Sequence, residues 1–240
     1  MNTPVPDVSV ILPCAGLGTR FGAPYAKELH CLAPGVTVLD RSLEAVVELV
    51  KSGLSVRVVV VFGPHKLDTV KYLARYTGTF QLVFVYQDDV AEPGLDGAIR
   101  CALPLTRGPV ALVLPDIVVS DGESLLSALR EADVVGWSVV AAEERDPGVL
   151  RQMGALVVAG GDGGAGGAGG AGGDGAVTVE AAAEKPADPA GFNALWGMVA
   201  VAEDQAHRLP DVARRDADSP LAGARAVMVA QIVNYNTTEG

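Results

Sequence analysis

Between residues 8 and 114 the chain alternates short apolar, β-branched runs with stretches of helical spacing, and this alternation constrains its fold more than any other feature. Residues 8–12, 56–62, 80–86 and 110–114 read as strands, the second broken only by Arg57. Nearly continuous apolarity marks strands that are covered on both faces, as in parallel sheets. Among the intervening segments, 39–51 places Leu39, Leu43, Val46, Val47 and Val50 on one helical face, with a cap expected at or beside Asp40. Segments 66–76 and 97–105 also read as helices. Such alternation predicts βαβ units. The expected fold class is therefore α/β, Rossmann-like and doubly wound, with a mostly parallel central sheet and helices on both faces.

The rest of the chain is less regular. A helix is expected over 122–132 and strands over 137–142, 195–201 and 226–233, while 203–225 matches neither template. Segments 155–158 and 177–179 read as the two strands of a small β-hairpin. Between them, 160–175 holds eleven glycines. Glycine and alanine cannot bury enough apolar surface to order a backbone, so a flexible Gly/Ala loop over 160–176 is predicted.

With 49% hydrophobic residues the chain can bury a full core, and 240 residues fit a single domain. A formal net charge of −11 argues against non-specific binding to nucleic acid or to an anionic membrane surface. The first apolar run is too short for a signal peptide or a membrane span, which predicts a cytoplasmic protein. Cys14, Cys31 and Cys101 match no zinc or redox spacing and are expected to be buried free thiols. His30, His65 and His207 match no metal or triad spacing, and no nucleophile elbow accompanies them.

The chemistry concentrates in the turn after the first strand, Gly16-Leu17-Gly18-Thr19-Arg20-Phe21-Gly22. Glycine lets backbone approach a ligand closely, and successive N–H groups can cradle phosphate. Arg20 adds a planar fork suited to phosphate oxygens, and Lys27 a second positive charge a few residues on. A P-loop would need Gly-Lys-Ser/Thr at its end, and in a dinucleotide fingerprint the third glycine would come one residue earlier. Asp116 follows the strand 110–114, at the end of a parallel strand where open α/β sheets bind ligands, and its carboxylate suits Mg²⁺. Gln87 follows the strand 80–86, and an amide there can pair with a base edge.

Ala15-Gly16-Leu17-Gly18-Thr19-Arg20, followed by Ala26-Lys27-Glu28-Leu29, resembles the signature of the sugar-1-phosphate nucleotidylyltransferases, also called nucleotide-sugar pyrophosphorylases. The resemblance implies that Ala15, Gly16, Gly18 and Thr19 wrap a nucleoside triphosphate while Arg20 and Lys27 stabilise the reacting phosphates. Leu114-Pro115-Asp116 resembles the family's strand-end Gly-Asp, which implies that Asp116 binds Mg²⁺; Asp121 is the lesser alternative, read as a helix cap. Gln87 and the segment Gly94-Leu95-Asp96-Gly97-Ala98 resemble the parts that hold the nucleobase, with Gln87 and Gly94 in those roles.

Further along, Met153-Gly154-Ala155-Leu156 resembles the family's Tyr-Gly-Val-Val, implying that Gly154 lies against the sugar. Glu184-Lys185-Pro186 resembles its Glu-Lys-Pro, where Glu184 would receive sugar hydroxyls and Lys185 would meet the sugar phosphate. Trp196, in the following strand, is read as packing. Ile232-Val233-Asn234-Tyr235-Asn236-Thr237 resembles the segment that ends the catalytic domain of N-acetylglucosamine-1-phosphate uridylyltransferases. That match implies Asn234 as a second Mg²⁺ contact, with Asn236 the alternative.

Taken together, the resemblance implies a glycosyltransferase-A-like nucleotidyltransferase domain over 1–240. Residues 1–116 would bind nucleotide and 117–240 the acceptor, with the hairpin over the acceptor site. The expected reaction joins a nucleoside triphosphate, UTP or dTTP favoured, to a sugar 1-phosphate and releases pyrophosphate, with Mg²⁺ as cofactor. Arg20, Lys27 and Lys185 are the expected catalytic cations. Two alternatives stay open: cytidylyl or other nucleotidyl transfer to a non-sugar phosphate or phosphonate, and a non-catalytic nucleotide-sensing module. The oligomeric state is also open.

Overall fold

The structure, a computed structural model, describes residues 5, 7–16, 25–88, 91, 93–159, 176–214 and 219–235. Gly18, Thr19, Arg20, Asn236 and the glycine-rich stretch 160–175 lie outside these residues, and so do the expectations placed on them.

In chain order the elements are β1 (Val8–Pro13), β2 (Cys31–Ala33), β3 (Val36–Thr37), α1 (Val38–Ser42), α2 (Glu44–Lys51), β4 (Val56–Phe62), α3 (Leu67–Leu73), β5 (Gln81–Tyr86), α4 (Gly94–Ala102), β6 (Val110–Val113), β7 (Ile117–Val119), α5 (Ser124–Val135), β8 (Trp137–Glu143), α6 (Pro147–Leu150), β9 (Gly154–Ala159), β10 (Thr178–Glu184), β11 (Ala194–Val201), β12 (Arg225–Met228) and β13 (Ile232–Asn234). Turns of 3₁₀ helix cover Lys27–Leu29, Ala74–Tyr76 and Leu103–Leu105, and a longer 3₁₀ run covers Glu203–Ala213.

The fold is α/β. Nine strands form one sheet in the order β5-β4-β1-β6-β11-β8-β12-β10-β9. β5, β4, β1 and β6 run parallel to one another. Beyond β6 the sheet is mixed: β11 runs antiparallel to β6 and β8, β12 parallel to β8, and β10 antiparallel to β12 and β9. Ala194 and Leu195 of β11 also pair with β9, so β11, β8, β12, β10 and β9 close into a ring.

The strand alternation explains the layers. Val58 and Val60 of β4 join a core with Leu39, Leu43, Val46 and Leu49 of the α1–α2 region and Leu125 of α5. Val59 and Val61 face the other way, into a core with Ala98 and Ile99 of α4 and Leu209 of the long 3₁₀ run. Each of these fully buried valines stabilises the fold by ~1.5–3 kcal/mol relative to exposure. Both faces of β4 are thus covered, as its continuous apolar run requires.

Four expectations are revised: a mostly parallel sheet, which is parallel over β5, β4, β1 and β6 but mixed beyond, one helix over 39–51, one strand over 226–233, and three buried cysteines. The helix expected over 39–51 is two helices bent at Leu43, and it starts on a capping box in which Thr37 is the cap and Asp40 reaches back to it. The strand expected over 226–233 is divided: β12 joins β8, and β13 crosses to pair with β7. A turn holds that crossing, with Ser120 N–H donating to the Gln231 carbonyl and Gln231 N–H to Ser120 Oγ. Segment 203–225 contributes the 3₁₀ run, whose Ala206, Leu209 and Val212 recur every third residue on the core side. Of the three cysteines, only Cys14 is buried; Cys31 is exposed because β2 pairs only with β3, away from the main sheet.

Candidate functional site

In the sheet order, β4 and β5 lie on one side of β1, and the chain then returns to place β6 on its other side. The gap beyond the carboxyl ends of β1 and β6 is a topological switch point, the place where open α/β sheets leave a crevice for a ligand. A cleft occupies it. Cys14 and Gly16 line it from the end of β1, Leu114 and Asp116 from the end of β6, and Lys27 and Lys66 close its side.

Lys27 and Asp116, 89 residues apart, meet in this cleft as a hydrogen-bonded ion pair. Both side chains are largely buried, at 18% and 11% exposure. Beside them Glu28, 1% exposed, accepts from Lys66 Nζ at 2.9 and 3.1 Å and from Thr69 Oγ1 at 2.7 Å. Two ammonium groups and two carboxylates therefore surround the end of β1 with no net charge. All four act on the Cys14 thiol. Burial first, then the carboxylates of Glu28 and Asp116, push that thiol well above its usual range against the opposing pull of Lys66 and Lys27. Cys14 is thus a protonated packing group and not a nucleophile.

Ala15 is buried, and the carbonyl of Ala15 would lie 3.2 Å from a Cβ on Gly63, so the absence of a side chain at Gly63 lets the turn after β4 close against the turn after β1. A Cβ on Gly16 would meet no described atom within 4 Å. Gln87 is 2% exposed and donates from Nε2 to the Gly94 carbonyl at 2.9 Å. Gly94 has φ +79°, a left-handed conformation that suits glycine, and opens α4 beside Leu95 at the cleft. The structure therefore brings together Gly16, Lys27 and Asp116, and separately Gln87 and Gly94 along the neighbouring strand end.

The second group of predicted residues gathers on β9 and β10, where Glu184 pairs directly with Gly154. Lys185 follows at φ +49°, the one non-glycine residue at positive φ among the described residues. Its N–H bonds the Met153 carbonyl at 3.1 Å, and its Nζ reaches Glu184 Oε1 at 2.7 Å. A long side chain held in the left-handed region is uncommon and persists only where surroundings fix it. The face of Gly154 is filled from within the protein: a Cβ there would lie 1.8 Å from Trp196 Nε1. Trp196 is buried, which accords with its reading as packing. Met153 shares a small apolar cluster with Ile117, so the hairpin and the strand after Asp116 are joined through packing.

Asn234 lies on β13 opposite Ile117, and the Tyr235 N–H donates to the Asp116 carbonyl at 2.9 Å. The Asn234 Oδ1 is buried and has no hydrogen-bond partner among the described residues. Asn234 and Asp116 thus belong to paired stretches of backbone, and an amide oxygen and a carboxylate are both donors that suit a hard cation. Among the described residues, no group of three or more His, Cys, Asp or Glu side chains could hold a metal alone. A cation here would depend on water and substrate oxygens for its remaining ligands.

No protein-family model matches the sequence, and no curated protein matches it. Solved structures do. A UTP-bound UGPase from Acinetobacter baumannii is 20% identical, over 96% of this chain and 89% of its own, with a TM-score of 0.62. A putative glucose-1-phosphate thymidylyltransferase from Bacillus anthracis, in complex with a sucrose, is 15% identical over 96% and 91%, with a TM-score of 0.70. A UDP-glucose pyrophosphorylase complexed with UDP-glucose is 16% identical over 96% and 94%, with a TM-score of 0.65. The chain has the fold of sugar-phosphate nucleotidyltransferases. Within this nucleotidyltransferase fold, Lys66, Glu28 and Thr69 form a charged cluster that the sequence did not disclose as one. Their partners lie 38 and 41 residues apart, and no local pattern announces them. No described helix is long and apolar enough to cross a membrane.

Proposed function

We propose that this protein is a nucleotidylyltransferase that joins a nucleoside triphosphate, UTP or dTTP favoured, to a sugar 1-phosphate and releases pyrophosphate. The observation that carries the reading is the pairing of Lys27 with Asp116 in the cleft between the ends of β1 and β6. A cation for phosphate and an oxygen ligand for metal meet there, where this fold leaves room for a ligand. That the similar structures include UGPases and a putative thymidylyltransferase supports the same reaction class and the preference for a pyrimidine triphosphate.

In this reading an oxygen of the acceptor phosphate attacks the α-phosphorus. The α–β phosphoanhydride bond breaks, and its electron pair leaves with pyrophosphate. The attacking phosphate is already ionised, so no side chain needs to remove a proton. Ala15, Gly16, Gly18 and Thr19 bind the triphosphate through backbone groups, and Gln87 with Gly94 holds the base. Arg20 and Lys27 neutralise charge that grows on the departing pyrophosphate, the kind of preorganised electrostatic help that often dominates catalysis. Glu184 positions the sugar, Gly154 can contribute only through its main chain because Trp196 fills its side-chain face, and Lys185 orients the sugar phosphate for in-line attack. Asp116 and Asn234 would hold Mg²⁺, which when bound supplies Lewis-acid neutralisation of the phosphates.

The test is pyrophosphate release with each common nucleoside triphosphate, a panel of sugar 1-phosphates, phosphocholine and a phosphonate, with Mg²⁺ and with chelator. Release that needs both substrates and Mg²⁺ is expected, strongest with UTP or dTTP and a sugar 1-phosphate. Triphosphate binding without release in any pair would replace transfer by a sensing role.

A further inference from the structure

Lys27 stands on weak local structure. It opens a three-residue 3₁₀ turn, Lys27–Leu29, whose preceding residue Ala26 provides no side-chain cap. Such short turns have poor hydrogen-bond geometry and little stability of their own. The backbone bonds Leu29 N–H to the Ala26 carbonyl and His30 N–H to the Lys27 carbonyl close the turn but do not attach it to the sheet. Leu29 packs on the core and the His30 carbonyl accepts from the Val38 N–H at 3.0 Å, and a side-chain anchor is added by the residue next to Lys27. Glu28 turns inward, and its carboxylate takes two hydrogen bonds from Lys66 and one from Thr69. Lys66 immediately precedes α3 and Thr69 lies within it, and both are buried, at 4% and 0% exposure. The turn is thereby tied to the helix that follows β4, and Lys27 is left facing Asp116.

We propose that Glu28, Lys66 and Thr69 are positioning residues that aim the Lys27 ammonium into the cleft. This rests on the nucleotidyl-transfer reading of the same site. Glu28 and Lys66 border the cleft, but both are buried and spend their charge on each other, so their part in this proposal is played through Lys27. A buried carboxylate with three donors has one low-energy orientation, and the adjacent Lys27 inherits it. Loss of aim matters most in the transition state, where displacement by about 1 Å can lower turnover as much as a hundredfold.

Glu28→Gln keeps the size and removes the charge, and Thr69→Val removes one donor from an otherwise similar side chain. Glu28→Gln is expected to lower kcat by about ten- to a hundredfold, and Thr69→Val by about three- to tenfold, with the triphosphate KM changed less than about threefold. Thr69→Ser, which keeps the hydroxyl, is expected to restore wild-type kcat. In a Lys27→Ala background both substitutions should cost less than about twofold more, because the group they aim is gone. Amide exchange over 26–30 should quicken in Glu28→Gln and Thr69→Val but not in Thr69→Ser. Equal losses with and without Lys27, or unchanged kcat in folded variants, would overturn the proposal. If the wild-type chain releases no pyrophosphate with any substrate pair, the reaction reading fails on its own. Exchange then decides the anchor: quickening in the two variants upholds it and unchanged exchange removes it.

Discussion

Gly154 and Trp196 allow a stability prediction worked from distances. A Cβ on Gly154 would lie 1.8 Å from Trp196 Nε1, 2.3 Å from Cε2 and 2.6 Å from Cδ1. Non-bonded heavy atoms settle near ~3.5–4 Å, so the overlap is on the order of 1.5 Å and one group must move. Driving the indole out would forfeit the burial of a side chain that is only 3% exposed, a loss resembling Trp→Ala at ~3–5 kcal/mol. Shifting β9 costs the ~1–3 kcal/mol typical of overpacking, and the cheaper route sets the outcome. We predict that Gly154→Ala destabilises the protein by about 2–3 kcal/mol, lowering the melting temperature by about 4–12 °C for a chain of this size. Urea unfolding of the single variants and the double variant is the assay. In a Trp196→Ala background the added methyl has room and should cost under about 0.5 kcal/mol, giving a coupling energy near 2 kcal/mol. The same loss in both backgrounds, or no loss in the first, would refute the claim that Trp196 is what excludes a side chain at Gly154.

Three further outcomes are expected. Lys27→Ala and Asp116→Ala should each lower turnover by about a hundredfold or more while the protein stays folded by circular dichroism; full activity in either removes its assigned role. Lys185→Gly should raise stability by about 1 kcal/mol through relief of the left-handed backbone, yet lower turnover, and a variant that is less stable than wild type would contradict the strain. For Asp40, burial acts to raise the carboxyl pKa, but hydrogen bonds from Tyr72, the Thr37 N–H and Tyr76 outweigh it and hold the group below its usual 3.8. A depressed folded-state pKa means stability that is present above 3.8 and is lost as pH falls through the lowered value. The stability gap between wild type and Asp40→Asn should therefore narrow from about pH 7 to about pH 3 in urea unfolding; an equal gap at both would refute the assignment.

Much of the parallel half was readable because its strands are covered on both faces, and a run such as Val56–Phe62 has no competing helical reading. The 3₁₀ run over Glu203–Ala213 escaped because its buried positions recur every third residue, a period that neither the helix nor the strand template detects. β7 is only three residues long, and its partner β13 was hidden inside what reads as one strand from 226 to 233. In the site, Lys27, Asp116, Gly154 and Glu184 were visible as motif residues, but the pairing of Gly154 with Glu184 across β9 and β10 was not. The anchor of Glu28 was not, because a buried ion pair is a fact about two distant positions and leaves no mark at either one. The orphaned Asn234 carbonyl likewise depends on what surrounds it in space.

The pairing of β13 with β7 bears on how such a chain matures as it is made. Tyr235 bonds the Asp116 carbonyl, and Ile232 packs against Gly197 together with Ile117 and Val119. A nascent chain holds Lys27 and Asp116 long before the segment that covers β7 has been synthesised. At ~5–20 residues per second, roughly six to twenty-three seconds separate residue 119 from residue 234. During that interval one flank of the Asp116 corner is bare and its apolar strand is exposed to whatever else is nearby. The corner closes only when β13 docks, so the cleft is complete only after residue 234 has been made.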